Sequence, residues 1–241
     1  MSGLKRLGLM ILVLLGPASL IYLFAKTLNN KFIELPYLGQ YTIELDEEGN
    51  NDTIQYVIPD FEFKTSDGKV VNSSSTKDQF LVFTTIQNTC PDTCGLFMYH
   101  IHELFYDKLK KNRDKYDKYD NVKIYSILTD VNGKSLSQPS VKLKEALVRF
   151  EADTAIWEVL IGDPSQIFSF DYQGQDFMTL PAIHTNFEIG RYAFVNSLVL
   201  VDRDKHIRGF TGAKRDSDIR NFFDLLKILK KVEFDENRKS K

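Results

Sequence analysis

The 241-residue chain reads as an α/β domain with a mixed central sheet, preceded by a single transmembrane helix. Three observations carry that expectation. Residues 7–25 hold no charge and are bounded by Lys5, Arg6 and Lys26. Two nearly continuous apolar runs, 80–86 and 121–128, alternate with segments of helical period, the order of strands covered on both faces. The domain then closes with two further strand-like runs and an amphipathic stretch.

In chain order, residues 1–6 are a short basic terminus and residues 7–25 a membrane anchor. Their length matches the roughly 20 residues that a helix needs to cross a bilayer core. A cleaved signal peptide is the competing reading; the apolar run exceeds the usual h-region of about 7–15 residues and no small-x-small cleavage site follows it. Pro17 kinks such a helix without forbidding it. With the amino terminus inside, the domain lies outside the cytoplasm, on the periplasmic side of a bacterial inner membrane. Residues 26–54 read as a spacer, in which only 41–45 resembles a strand.

The globular domain is expected over 55–233. Residues 56–63 and 65–71 suggest a hairpin turned at Asp67-Gly68. Residues 80–86 make the first central strand. Phe97, Ile101, Leu104, Phe105 and Leu109 form a helix stripe, and 121–128 a second strand. A helix over 141–152, a strand over 157–161, a short helix near 164–168, strands over 194–201 and 207–210 and a last helix over 216–232 complete the order. Residues 234–241 form a charged tail. This order fits a thioredoxin-like, three-layer domain.

Composition excludes some functions. Thirty-one basic and 33 acidic residues are finely mixed, for a net charge of −2, so there is no basic footprint for nucleic acid. Two cysteines cannot make a disulfide framework. They stand together instead, Cys90 and Cys94, separated by three residues where a buried strand gives way to a helix. Thiolates favoured at a helix start are nucleophiles for disulfide exchange and ligands for soft metals such as Cu(I). A pair of inert buried cysteines is the bland alternative; the flanking proline, aspartate and glycine argue against it.

The segments 58–63, 67–69, 83–85 leading to Cys90-Pro91-Asp92-Thr93-Cys94, 126–130, and 200–202 with 207–209 resemble, in that order, the Sco (SenC) family. The resemblance covers about 56–232 and extends to the anchor. It implies a membrane-anchored thioredoxin-fold protein that binds copper and helps to assemble the copper centre of cytochrome c oxidase. The implied partner is an oxidase subunit or another copper or thiol carrier. Cys90 and Cys94 are the implied copper ligands, or the catalytic pair if the chemistry is redox.

The departures matter equally. The family completes its metal site with a histidine in a His-Ser pair just before the strand at 198–201, where this chain has Asn196-Ser197. Gly95 replaces a common proline. His184 is the best substitute ligand, competing with a plain loop histidine. His100 and His102 read as surface or packing residues, His206 as solvated, and Met98 and Trp157 as core. Asp130 matches a family aspartate, with loop capping as the default role. A metal-independent thiol–disulfide oxidoreductase acting on exported proteins is the alternative function. A peroxidase-like enzyme is disfavoured, because such enzymes set their cysteine in a threonine/proline-rich context with a helper arginine.

Overall fold

A computed structural model describes residues 16–17, 19, 21–22, 35–45, 49–90, 95–116, 119–182, 192–213 and 215–239. The chain divides into two units, Met1–Glu34 and Leu35–Lys241. In the first, the described residues are helical, and Ser19 Oγ donates to the Gly16 carbonyl at 2.9 Å. Most of the expected anchor, 7–25, lies outside the described residues. Among those described, no helix is long and apolar enough to cross a membrane.

The second unit begins with a two-stranded hairpin, β1 (Thr42–Leu45) and β2 (Asn51–Ile54), exposed throughout. The main sheet takes seven strands: β3 (Glu62–Thr65), β4 (Val70–Asn72), β5 (Phe80–Gln87), β6 (Val122–Thr129), β7 (Trp157–Ile161), β10 (Ser197–Val201) and β11 (Ile207–Gly212). Between β7 and β10 lies a small hairpin of β8 (Asp171–Tyr172) and β9 (Gln175–Asp176). The order across the main sheet is β11-β10-β5-β6-β7-β3-β4. β5, β6 and β7 run parallel, and β10 and β11 add antiparallel on the other side. A parallel strand–helix–strand joined to an antiparallel strand pair and a closing helix is the thioredoxin-like arrangement, with β5 central.

The connection after β5 runs through α1 (Gly95–His100), a π turn at Ile101–Tyr106 and α2 (Asp107–Tyr116). β6 leads through α3 (Val141–Arg149) to β7. Because both parallel crossovers step the same way across the sheet, right-handed connections put their helices on one face. The closing helix α5 (Asp216–Lys239) joins them there. Val82, Ile86, Ile124, Leu128, Leu198 and Leu200 meet Ile101, Phe105, Leu143, Phe222 and Leu226 in one core.

The opposite face is covered differently. Phe83, Tyr125, Ile127 and Val199 pack under Phe61, Phe168, Phe177 and Phe194, carried by loops, the short helix α4 (Ser165–Phe168) and a 3-10 turn at Phe177–Thr179. The third layer is therefore made of aromatic side chains on irregular backbone. Gly133, in the loop after β6, has φ +80°, and a Cβ there would run into the Phe194 ring.

The segment expected as a spacer is tied down at residues 35–38. Leu35 is buried at 3% exposure and Leu38 bridges to Ile207, its amide donating to the Ile207 carbonyl at 2.9 Å. Arg208 explains this docking: one guanidinium nitrogen donates to the Leu35 carbonyl at 2.8 Å, another to Asp202 at 3.0 Å, and the group lies 3.9 Å from the Tyr37 ring centre. At the other end, α5 runs on to Lys239, through most of the stretch expected as a tail.

Candidate dithiol site

Every residue of β5 is buried, as an apolar strand between two covered faces requires. The chain turns immediately after it. Asn88 N donates to the Thr129 carbonyl of β6 at 3.0 Å, and Cys90 N donates back to the Gln87 carbonyl at 2.9 Å. Cys90 is thereby fixed at the carboxyl end of the central strand. It is 0% exposed, in the helix-side core with Phe97 and Met98.

Cys90 is disulfide-bonded. In a chain with two cysteines the only other cysteine is Cys94. Residues 91–94 lie outside the described residues, as does His184, so the predicted third ligand has no described position.

A second anchor holds the turn from the side. Asn88 Oδ1 accepts the Ser140 amide, and Ser140 Oγ donates to the Asn88 carbonyl at 2.8 Å. Ser140 also caps α3, accepting from Leu143 N at 3.2 Å. The cysteine turn and the start of α3 are thus one hydrogen-bonded unit.

Asn196 stands one residue before β10, which pairs antiparallel with β5, so it reaches the same end of the sheet as the cysteine turn. It is 3% exposed with φ +72°, a left-handed conformation in which asparagine is enriched. Its amide N donates to Thr85 Oγ1 at 3.1 Å, its carbonyl accepts from Ala213 N at 2.9 Å, and its side-chain Oδ1 accepts from Gln87 Nε2 at 3.2 Å. Its side-chain oxygen is therefore already engaged within the protein. A cleft of about 390 Å³ opens beside it, lined among others by Ala193, Phe210, Thr211 and Arg215.

The other singled-out residues fall as follows. Met98 is wholly buried, and Trp157 is core, its Nε1 donating to Ser126 Oγ at 2.8 Å. Asp130 caps its loop, accepting from Asn132 N and Lys134 N, each at 2.8 Å. His100 is buried and its Nε2 meets Asp216 at 2.9 Å, where α1 packs on α5. His102 packs against Tyr106 and Phe150, with Nε2 donating to the Phe150 carbonyl at 2.9 Å. His206 departs from expectation. It is not simply solvated: its ring meets Tyr37 edge-on and its Nδ1 lies 3.5 Å from Asp202, because residues 35–38 fold back over the β10–β11 turn.

Sequence reasoning missed Gln87, Asn88, Thr129 and Ser140. The readable signal was polar residues at the carboxyl ends of two otherwise apolar strands.

No family model matches the chain, and no curated protein does. Solved structures do. A SCO1/SenC family lipoprotein from Bacillus anthracis is 19% identical, with 72% of this chain and 95% of that one covered and a TM-score of 0.47. Yeast Sco1 is 16% identical, covering 73% and 98%, TM-score 0.47. ScoI from Bradyrhizobium japonicum, solved with copper bound, is 21% identical, covering 72% and 99%, TM-score 0.44. Solved Sco and SenC structures are thus among those to which this chain is similar.

Proposed function

We propose that this chain is a Sco-like assembly factor, anchored in a membrane through residues 7–25 with its domain outside the cytoplasm, whose Cys90 and Cys94 serve maturation of the cytochrome c oxidase copper centre. The observation that carries the reading is Cys90 itself, buried, disulfide-bonded and held at the carboxyl end of the central strand of a thioredoxin-like sheet. Reduced, the pair offers two thiolates, a donor set suited to Cu(I) as cargo; oxidised, it can accept two electrons from a partner dithiol by exchange.

Copper fits this site only in part. Two sulfurs suit it, but Asn196 Oδ1 already accepts from Gln87, and an amide is a poor copper ligand. That observation favours the second reading, a metal-independent thiol–disulfide oxidoreductase acting on exported proteins.

Copper stoichiometry of the reduced full-length protein in detergent separates the two. The copper reading expects one bound ion per chain, lost in Cys90→Ser and weakened in His184→Ala. No tight binding in the wild type overturns it, and binding unchanged in His184→Ala removes that residue as third ligand. Both readings require a Cys90–Cys94 disulfide that forms on mild oxidation and reopens with a dithiol reagent.

A further inference from the structure

His102 stands in the π turn at Ile101–Tyr106, between α1 and α2. In an α-helix, residues five apart point to different sides. A π turn closes its hydrogen bonds over five residues, and here the Asp107 amide donates to the His102 carbonyl, which brings position 107 over position 102. Glu103 joins them. One ligand atom from each of His102, Glu103 and Asp107 lies within 4.8 Å of the other two.

The imidazole is fixed from outside this cluster. Its ring packs on Tyr106 and Phe150, with 5.2 and 4.9 Å between ring centres. Nε2 stands 2.9 Å from the carbonyl of Phe150, the residue that caps the end of α3. A carbonyl only accepts, so Nε2 carries the ring proton. Nδ1 of the neutral ring then presents a bare lone pair, and what it meets at 3.2 Å is Glu103 Oε1, another acceptor. Two acceptors hold that separation when a cation lies between them. A histidine that donates one ring N–H to a backbone carbonyl and turns its other nitrogen on a carboxylate has the outer support of a metal ligand. Zinc binds imidazole nitrogen and carboxylate oxygen at about 2.0–2.2 Å, so two such donors on one tetrahedral ion stand about 3.4 Å apart. The 3.2 Å between Nδ1 and Oε1 is close to that spacing.

We propose that His102 Nδ1, Glu103 and Asp107 form a site for a divalent cation of the zinc class, with water in the remaining position. Through the Phe150 carbonyl the bound ion ties the π turn to the end of α3. One imidazole and two carboxylates are a donor set unlike a dithiol. The site is therefore separate from Cys90 and Cys94 and independent of the function proposed above.

Calorimetric titration with zinc tests this on untagged full-length protein in detergent, with the Cys90–Cys94 disulfide kept closed. Saturable binding of one ion per chain is expected. Glu103 and Asp107 are both exposed, so Glu103→Gln and Asp107→Asn leave the fold intact, and each should weaken binding at least about tenfold. His102→Gln should abolish it, with near-ultraviolet circular dichroism to show that this variant is folded; if it is not, the two carboxylate variants decide. Cobalt in place of zinc should give a spectrum of nitrogen and oxygen ligation. Absence of saturable zinc binding in the wild type overturns the proposal and leaves a proton as the cation between His102 and Glu103. Affinity unchanged in both carboxylate variants, or a thiolate-to-cobalt charge-transfer band, overturns it equally. None of these results bears on the dithiol reading.

Discussion

Gln87 Nε2 donates to Asn196 Oδ1 across 3.2 Å inside the protein, joining the strand that presents Cys90 to the residue that opens β10. This bond explains how position 196 is filled without a metal ligand. It also makes the position testable by gain of function. Histidine, like asparagine, is enriched at positive φ, so Asn196→His suits the backbone at φ +72° and offers an imidazole at the cysteine end of the sheet. Reduced Asn196→His should bind Cu(I) at least about tenfold more tightly than wild type in a competition titration, ~1.4 kcal/mol. Unchanged affinity would show that a histidine at position 196 does not reach the thiols.

The difference between what the residues announced and what they hid follows from the range of the forces involved. β5, β6 and β7 were legible because apolar runs bounded by polar turns report burial directly; β7 is found at the expected 157–161. The cysteine turn was legible from two residue types at one spacing. The docking of residues 35–38 was not, since it depends on Arg208, more than 150 positions away, whose ion pair with Asp202 leaves a guanidinium nitrogen free for the Leu35 carbonyl. Nor was the aromatic third layer: Phe61, Phe168, Phe177 and Phe194 share no local period, and only the tertiary fold gathers them. Gln87 was hidden for a related reason. A polar residue ending an apolar strand looks like a boundary until its cross-strand partners are known.

Ser140 joins helix stability to the cysteine turn. Its Oγ accepts from Leu143 N and donates to the Asn88 carbonyl. Ser140→Ala loses the cap, which costs about 1 kcal/mol, and leaves the Asn88 carbonyl one donor short. A loss of about 1–2 kcal/mol in urea unfolding is expected. Ser140→Asp, which retains the capping acceptor but not the donor, should recover about half. Equal stability of Ser140→Ala and wild type would remove this link.

Arg208 and Asp202 form a pair in which both side chains are under a tenth exposed. Removing one member of a buried pair leaves the other charge uncompensated, at a cost of about 3–5 kcal/mol. Arg208→Ala should therefore lower unfolding stability by that amount. It should also release residues 35–38, read as faster amide exchange at Leu38, whose N–H is bonded to the Ile207 carbonyl. Arg208→Met tests the packing share separately, since it restores bulk over Tyr37 without charge. If exchange at Leu38 stays slow in both variants, the docking of this segment does not depend on Arg208.

Acid should weaken the fold partly through Asp153. Arg113 donates to its carboxylate at 2.7 Å, and the Ala155 amide adds a second bond. The Arg113 hydrogen bond, reinforced by the Ala155 amide, holds this carboxyl below the ordinary carboxylate range. The folded protein thus gives up the Asp153 proton at a pH where the unfolded chain still binds it. The stabilisation is fully present above the unfolded value, near 3.8, and is lost as pH falls through the lower folded value. Asp153 links α2, through Arg113, to the turn into β7, and its main-chain N–H donates to the Tyr106 hydroxyl at 2.8 Å. Asp153→Asn keeps that main-chain bond and removes the titrating group. Unfolding free energies measured from about pH 5 down to about pH 2 should fall less steeply for Asp153→Asn than for wild type, with the two curves converging at the acid end. Parallel curves over that range would show that the Arg113–Asp153 contact contributes nothing to acid stability.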